Sequence, residues 1–157
     1  MIPKRLSARP AVECIHVIPQ MDASLRIVEE FDRLVAMGRG GVSKRPLAEQ
    51  VVYYVVATRC EIDINGFASV YEQGLSLAEL ELLVGGLQKI GEGELAAEFR
   101  RGIELLKSDG FYRHMNWNKV SPEVEAQIDA IGERVGSRAW NLDEKLAALL
   151  DANRSAG

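Results

Sequence analysis

Between Pro46 and Ile64 the chain is apolar almost all round, with Val51-Val-Tyr-Tyr-Val-Val-Ala57 at its centre. β-Branched and aromatic residues in such density favour a strand. The run nevertheless continues for more than about twelve residues without a breaker, longer than a buried strand requires, and Pro46 suits a first helical turn. A helix and a buried strand compete here, and length favours a central buried helix.

The flanking segments carry helical periodicity and helix punctuation. Asp22 is a candidate N-cap for a helix in which Leu25, Val28, Phe31 and Val35 repeat at helical spacing until Gly38 stops the pattern. Ser76-Leu-Ala-Glu79 is a capping box, followed by an apolar stripe of Leu77, Leu80, Val84 and Leu87. Gly85-Gly86 inside that helix costs roughly 1 kcal/mol per glycine relative to alanine, which predicts close approach of a neighbour. Leu95, Phe99, Ile103 and Leu106 mark the next helix, closed by Asp109-Gly110. Ser121-Pro122 opens another, with Val124, Ile128, Ile131 and Val135 on one face. Asn141-Leu-Asp-Glu144 resembles a further capping arrangement ahead of Leu146, Leu149 and Leu150.

The expected fold is therefore all-α, a single compact domain of about six helices over residues 21–157. Residues 1–20 are read as an N-terminal arm or short extended segment. Met1 to Pro10 has no apolar period and carries Lys4, Arg5 and Arg9, the charge to meet something acidic. Ala11 to Ile18 is a short apolar run ended by Pro19, too short to distinguish a strand from a buried extended segment.

Charge narrows the function classes. The 157 residues include 23 Asp and Glu against 19 Lys and Arg, a formal net charge of −4 that opposes generic nucleic-acid binding. Residues 61–104 hold 9 acidic and 3 basic residues, a local −6. Cys14 and Cys60 form neither a disulfide framework nor a CxxC motif, and both are expected as reduced thiols in or near a core. No apolar run is long enough for a membrane span or a signal peptide, so the expected setting is the cytoplasm.

One pattern resembles a calcium loop: Glu61-x-Asp63-x-Asn65-Gly66 followed by Glu72. Its first position is Glu where the rule wants Asp, and Ala68 stands where a larger apolar residue belongs. The competing reading ends a helix at Asn65-Gly66, with Phe67 and Tyr71 packing inward. His16 and His114 have no second His or Cys at metal-ligand spacing. Phe111 to Lys119 mixes three aromatics with basic residues and reads as a loop packed over the helices with Trp117 as anchor, or as a protein-contact patch. No nucleophile elbow, phosphate loop or paired-carboxylate motif is present.

Glu61-Ile-Asp-Ile-Asn-Gly-Phe67, Tyr71-Glu-Gln73, a helix ending Ile90-Gly91, Glu94-Leu-Ala-Ala97 and the stretch Arg100 to Leu106 together resemble a known pattern. It is that of the bacterial family of unknown-function domains typified by a DNA-mimic protein of the nineteen-kilodalton type. Ile128 to Val135 and Trp140 to Leu150 resemble its closing helical pair, so the likeness covers residues 46–153. The family often has two glycines where this chain has Gly66 and then Phe67. The resemblance implies an all-helical fold without enzymatic activity; DNA mimicry itself rests on a denser array of carboxylates than a net −4 supplies.

The expected function is non-enzymatic binding of a protein partner. Glu72, Glu79, Glu81, Glu92, Glu94, Glu98 and Glu104 are the candidate face toward a basic or DNA-binding protein. Glu61, Asn65, Gly66, Phe67 and Tyr71 form the structural motif. No cofactor, resident metal, direct nucleic-acid contact or membrane is expected. The alternatives are a small-molecule or divalent-metal site at Glu61, Asp63 and Glu72, and a structural homo-oligomer using the aromatic segment.

Overall fold

The computed structural model describes residues 22–138 and 140–156. The expectations for residues 1–20, with Cys14 and His16, lie outside them. The described residues fold into α-helices with no strand. These are α1 (Ala23–Val42), α2 (Leu47–Asn65), α3 (Phe67–Ser69), α4 (Leu77–Lys89), α5 (Gly93–Ser108), α6 (Phe111–His114), α7 (Pro122–Gly136) and α8 (Asp143–Ser155). Six of the eight are the helices expected from the sequence, five from periodicity and capping and α2 from the length of its apolar run. The other two, α3 and α6, are single turns where the chain lacks a repeat long enough to show a period. No helix of the described residues is long and apolar enough to cross a membrane.

The competition at Pro46 to Ile64 resolves as helix. Ala48, Val51, Val52, Tyr54, Val55, Val56 and Thr58 of α2 are all buried, because α1, α4, α8 and the segment after Gly66 surround it. An element apolar on every side is stable only when neighbours cover every side. Pro46 occupies the N-cap, one residue ahead of the helix. Around α2 the core is continuous, from Ile27 and Leu34 through Leu80, Leu87, Phe99 and Ile103 to Ile128, Leu146 and Leu150.

Capping chemistry sets most boundaries. Asp22 Oδ1 accepts from the Ser24 amide, and Ser76 and Glu79 complete the expected capping box at α4. Ser121 caps α7 with Pro122 in its first turn. The capping expectation at Asn141 fails: Leu142 holds the N-cap position of α8 without a side-chain bond. Asp143 instead accepts from Arg59 of α2 at 3.2 Å. This contact ties the last helix to the central one.

The largest departure concerns α1. Its buried residues are Ile27, Leu34 and Val42, whereas Leu25, Val28 and Val35 of the expected core stripe are 51%, 49% and 50% exposed. Gly38 does not end the helix; at φ 71°, ψ 165° it kinks the chain, which then resumes helical geometry to Val42. That combination of dihedrals is essentially confined to glycine.

Candidate functional site

The acidic candidates occupy α4, α5 and the turns beside them, and most of them face cations. Glu81 accepts from Arg100 at 2.6 Å and lies 3.8 Å from Lys107, which also approaches Glu104 at 3.6 Å. Glu98 accepts from Arg134 Nε at 3.1 Å and Nη2 at 2.9 Å, and Arg101 stands 3.4 Å away. Glu94 pairs with Arg138, Glu92 with Lys145, and Glu79 lies 3.9 Å from Arg39. Glu94 and Glu98, one turn apart on α5, thus meet Arg138, just past the end of α7, and Arg134, in its last turn. Six carboxylates face seven cations, and Glu72 alone of the seven has no basic partner among the described residues. Sequence counting missed this because Arg134, Arg138 and Lys145 lie outside the acidic segment that they neutralise.

In these pairs each carboxylate is set against a cation of the same chain. The hydrogen bond from Arg134 holds the Glu98 carboxyl below its usual range against the opposing effect of burial. Glu79 is occupied three ways: by the Ser76 amide at 2.7 Å, by the Tyr54 hydroxyl at 3.1 Å and by nearby Arg39. Burial first, and then Glu79, push Tyr54 up to about 12.

The Glu61 to Tyr71 motif is a structural corner. Because α2 runs on through Asn65, Glu61, Asp63 and Asn65 lie on a helix rather than a ligand loop, and alternate residues of a helix point away from one another. No group of three His, Cys, Asp or Glu able to hold a metal comes together among the described residues. Glu61 Oε1 instead accepts from Asn65 at 3.1 Å and from Ser69 at 2.7 Å. Gly66, at φ 90°, turns the chain into α3, and Phe67 and Tyr71 are buried as expected. Ile64, at the end of α2, is 78% exposed.

After α3 the chain makes a π-helical turn, Val70–Gly74, whose last carbonyl accepts from Arg39 at 2.7 Å. Thr58, Glu61, Gly74 and Arg39 line a cavity of about 80 Å³ at this junction. A broader cleft of about 760 Å³ lies between α1 and α8, floored by Ala23, Ala147 and Ala148, with the Arg26–Asp151 pair at 2.6 Å beside it.

The aromatic segment packs as read. Phe111 is fully buried, Trp117 stands 5.7 Å from it, and Tyr112 and His114 contact it edge-on. Met115 remains exposed at φ 50°. Cys60 is exposed, contrary to its expected place in or near a core, because it sits on the solvent side of α2's last turns.

Among the described residues, the outer side of α1 remains uncovered. At about 100° per residue, its apolar positions run from Leu34 and Ile27 through Phe31 to Val35, Val28 and Leu25, an arc of roughly 180°. Roughly 100° suffices for a helix packed on one core. Helices α2 and α8 cover the first part, and Phe31 closes it against Tyr53 at 5.7 Å. No described element covers Val35, Val28 and Leu25. Asp32 lies within this exposed part and Glu29 at its edge, and neither has a basic partner among the described residues. No family model, curated protein or solved structure matches the chain.

Proposed function

We propose that this chain is a non-enzymatic helical domain that binds another protein, and that the uncovered apolar arc of α1 is its contact surface. The observation that carries the reading is that α1 has an apolar arc almost twice as wide as packing on one core requires, with Leu25, Val28 and Val35 about half exposed. Half-exposed aliphatics at one helical face are costly in water and become favourable only when something is packed on them. The neighbouring carboxylates Glu29 and Asp32 favour a partner whose apolar segment carries positive charge.

The DNA-mimic form of this reading calls for carboxylates free to replace phosphates. The internal pairs at Glu79, Glu81, Glu92, Glu94, Glu98 and Glu104 favour α1 over the α4–α5 face as the contact. Exposed pairs of that kind add little stability, but they cancel the local field.

Capture from a cell lysate tests the proposal with three baits: wild type, Val28→Asp/Val35→Asp and Glu72→Lys. A protein retained by wild type and Glu72→Lys but lost from the α1 variant is the expected result. Loss from Glu72→Lys alone returns the contact to the acidic residues, and identical capture by all three baits removes both surfaces.

A further inference from the structure

The hydroxyl of Thr58 is buried near the junction of α1, α2 and the π-helical turn, and no group among the described residues satisfies it. A threonine inside a helix can return its hydroxyl to the carbonyl four residues back, and Thr58 does not. Thr58 instead forms part of the wall of the cavity of about 80 Å³ at that junction. We propose that this cavity is a binding site for a small zwitterion, an α-amino acid no larger than glycine or alanine, whose polar groups complete the hydrogen bonding of Thr58.

Two charged residues of the wall set the ligand's charge. Arg39 Nη2 donates to the Gly74 carbonyl at 2.7 Å, and Nη1 stands 3.9 Å from Glu79, outside hydrogen-bond reach. Nε and Nη1 therefore donate to nothing among the described residues. Glu61 accepts from Asn65 and Ser69 through Oε1, which leaves Oε2 an open acceptor among them. Arg39 and Glu61 border the same small space without pairing with each other. An anion drawn to Arg39 would be repelled by Glu61, and a cation drawn to Glu61 by Arg39, whereas a molecule carrying both charges suits both walls. Its carboxylate meets the guanidinium and its ammonium meets Glu61. Thr58, three residues before Glu61 on the same side of α2, can donate to the first or accept from the second.

Size and lining set the rest. At about 10–15 Å³ per water-sized group the cavity holds roughly five to eight such groups, enough for glycine or alanine and too few for an aromatic amino acid. Ala57, Val70 and Leu75 supply an apolar wall for a methyl group. Val70 and Gly74 belong to the π-helical turn, and such turns recur at functional sites. Of the residues in the small-molecule alternative drawn from sequence, Glu61 reaches this cavity, and Asp63 and Glu72 do not line it. Nor do Leu25, Val28 and Val35, so this site and the α1 contact surface stand or fall separately.

Titration of the full chain with glycine, L-alanine, L-phenylalanine, acetate, ethylammonium and urea tests this, followed by calorimetry and by the NMR signal of the Thr58 methyl group. Wild type should bind glycine or alanine saturably with a shift of that signal, and the other four at least about tenfold more weakly. Thr58→Val should weaken the binding at least about tenfold while the melting curve shows a folded chain. Glu61→Gln keeps an oxygen for Asn65 and Ser69 and puts an amide nitrogen where Oε2 stood. It should lower affinity for glycine and raise it for acetate, and Arg39→Gln should shift preference toward ethylammonium. A merely structural role of either residue would not exchange preferences in this way. Four results would overturn the proposal: no saturable change with glycine or alanine in the millimolar range, which leaves a water-filled cavity; binding that survives Thr58→Val; phenylalanine binding as well as alanine, which places the site on the open surface; or acetate, ethylammonium or urea binding as tightly as glycine, which removes the need for two charges.

Discussion

Val51 of α2 lies directly over Gly86 of α4, so close that a Cβ built at position 86 would stand 2.7 Å from Val51 Cγ2 and 2.8 Å from Cγ1. The two helices meet where one has no side chain. Gly86→Ala should therefore destabilise the fold by about 1–3 kcal/mol through overpacking. Gly85, one residue earlier, has no atom within 4 Å of its would-be Cβ, so Gly85→Ala should stabilise by about 0.5–1 kcal/mol through helix propensity. Adding Val51→Ala to Gly86→Ala should cost less than the two changes summed, since each relieves the other. Denaturant titration of the four variants decides it, and equal effects at 85 and 86 would show that the helices are further apart.

The Gly85-Gly86 pair shows what sequence can and cannot disclose. A glycine pair inside a helix announced a close approach, but only the fold shows that residue 86 makes it. Similarly, the capping box of α4, the Ser121 cap of α7 and the stripes of α4, α5 and α7 were readable because their signals are local. The inward face of α1 was not: Leu25, Val28 and Val35 have the same spacing as a core stripe, and burial depends on which side α2 and α8 occupy. The acidic segment misled for the related reason that Glu98 and Arg134 are distant in sequence and adjacent in space.

That Glu98–Arg134 pair has a pH signature. The bidentate hydrogen bonds from Arg134 hold the Glu98 carboxyl below its usual value, and Arg45, with Arg33, does the same to Glu49. A carboxyl with a lowered folded pKa binds its proton more readily when the chain unfolds. Its contribution is therefore complete above the unfolded value of about 4.3 and fades as pH falls through the lower folded value. Glu98→Gln should lower the melting temperature at neutral pH, and its gap from wild type should close on acidification. A gap that is constant from neutral to acidic pH would show that charge is not the cause.

The tyrosines give the opposite signature at high pH. Burial is the main reason that Tyr54 and Tyr112 are pushed up to about 12 and Tyr71 is pushed upward as well. Tyr71 donates to the Phe99 carbonyl at 3.1 Å, a bond available only to the neutral phenol. A raised folded pKa gives stability that is intact below the unfolded value of about 10 and lost as pH rises toward the folded one. Phenolate absorbance from these three should appear together with loss of helical circular dichroism. Their ionisation near pH 10 in a fully helical protein would contradict the burial.

Thr58 is 2% exposed on α2, and its hydroxyl oxygen is buried without a hydrogen-bond partner. Leaving such a group unsatisfied costs about 1–3 kcal/mol, and valine keeps its shape without the hydroxyl. Thr58→Val should therefore raise stability by about 1 kcal/mol. The adjoining cavity of about 80 Å³ has room for water, so a loss of stability instead would show that an ordered water satisfies the hydroxyl there.

Gly38 connects the backbone of α1 to the corner at the π-helical turn. Its φ of 71° and ψ of 165° bend the helix so that Arg39 can donate to the Gly74 carbonyl at 2.7 Å. Nothing lies within 4 Å of a Cβ at this position, so the penalty for a side chain would come from the backbone alone. Gly38→Ala should cost about 1–3 kcal/mol if the kink is kept. Straightening α1 would avoid that strain but would carry Arg39 away from Gly74, exposing the end of the π-turn. Arg39→Ala separates the two routes. If the kink persists, the Gly38 and Arg39 substitutions add; if α1 straightens, the Arg39 contact is already gone and the double variant is no less stable than Gly38→Ala. Additivity in denaturant titration is the expected outcome, because the Cα path of α1 beyond Gly38 is also held by Val42, which is fully buried in the core.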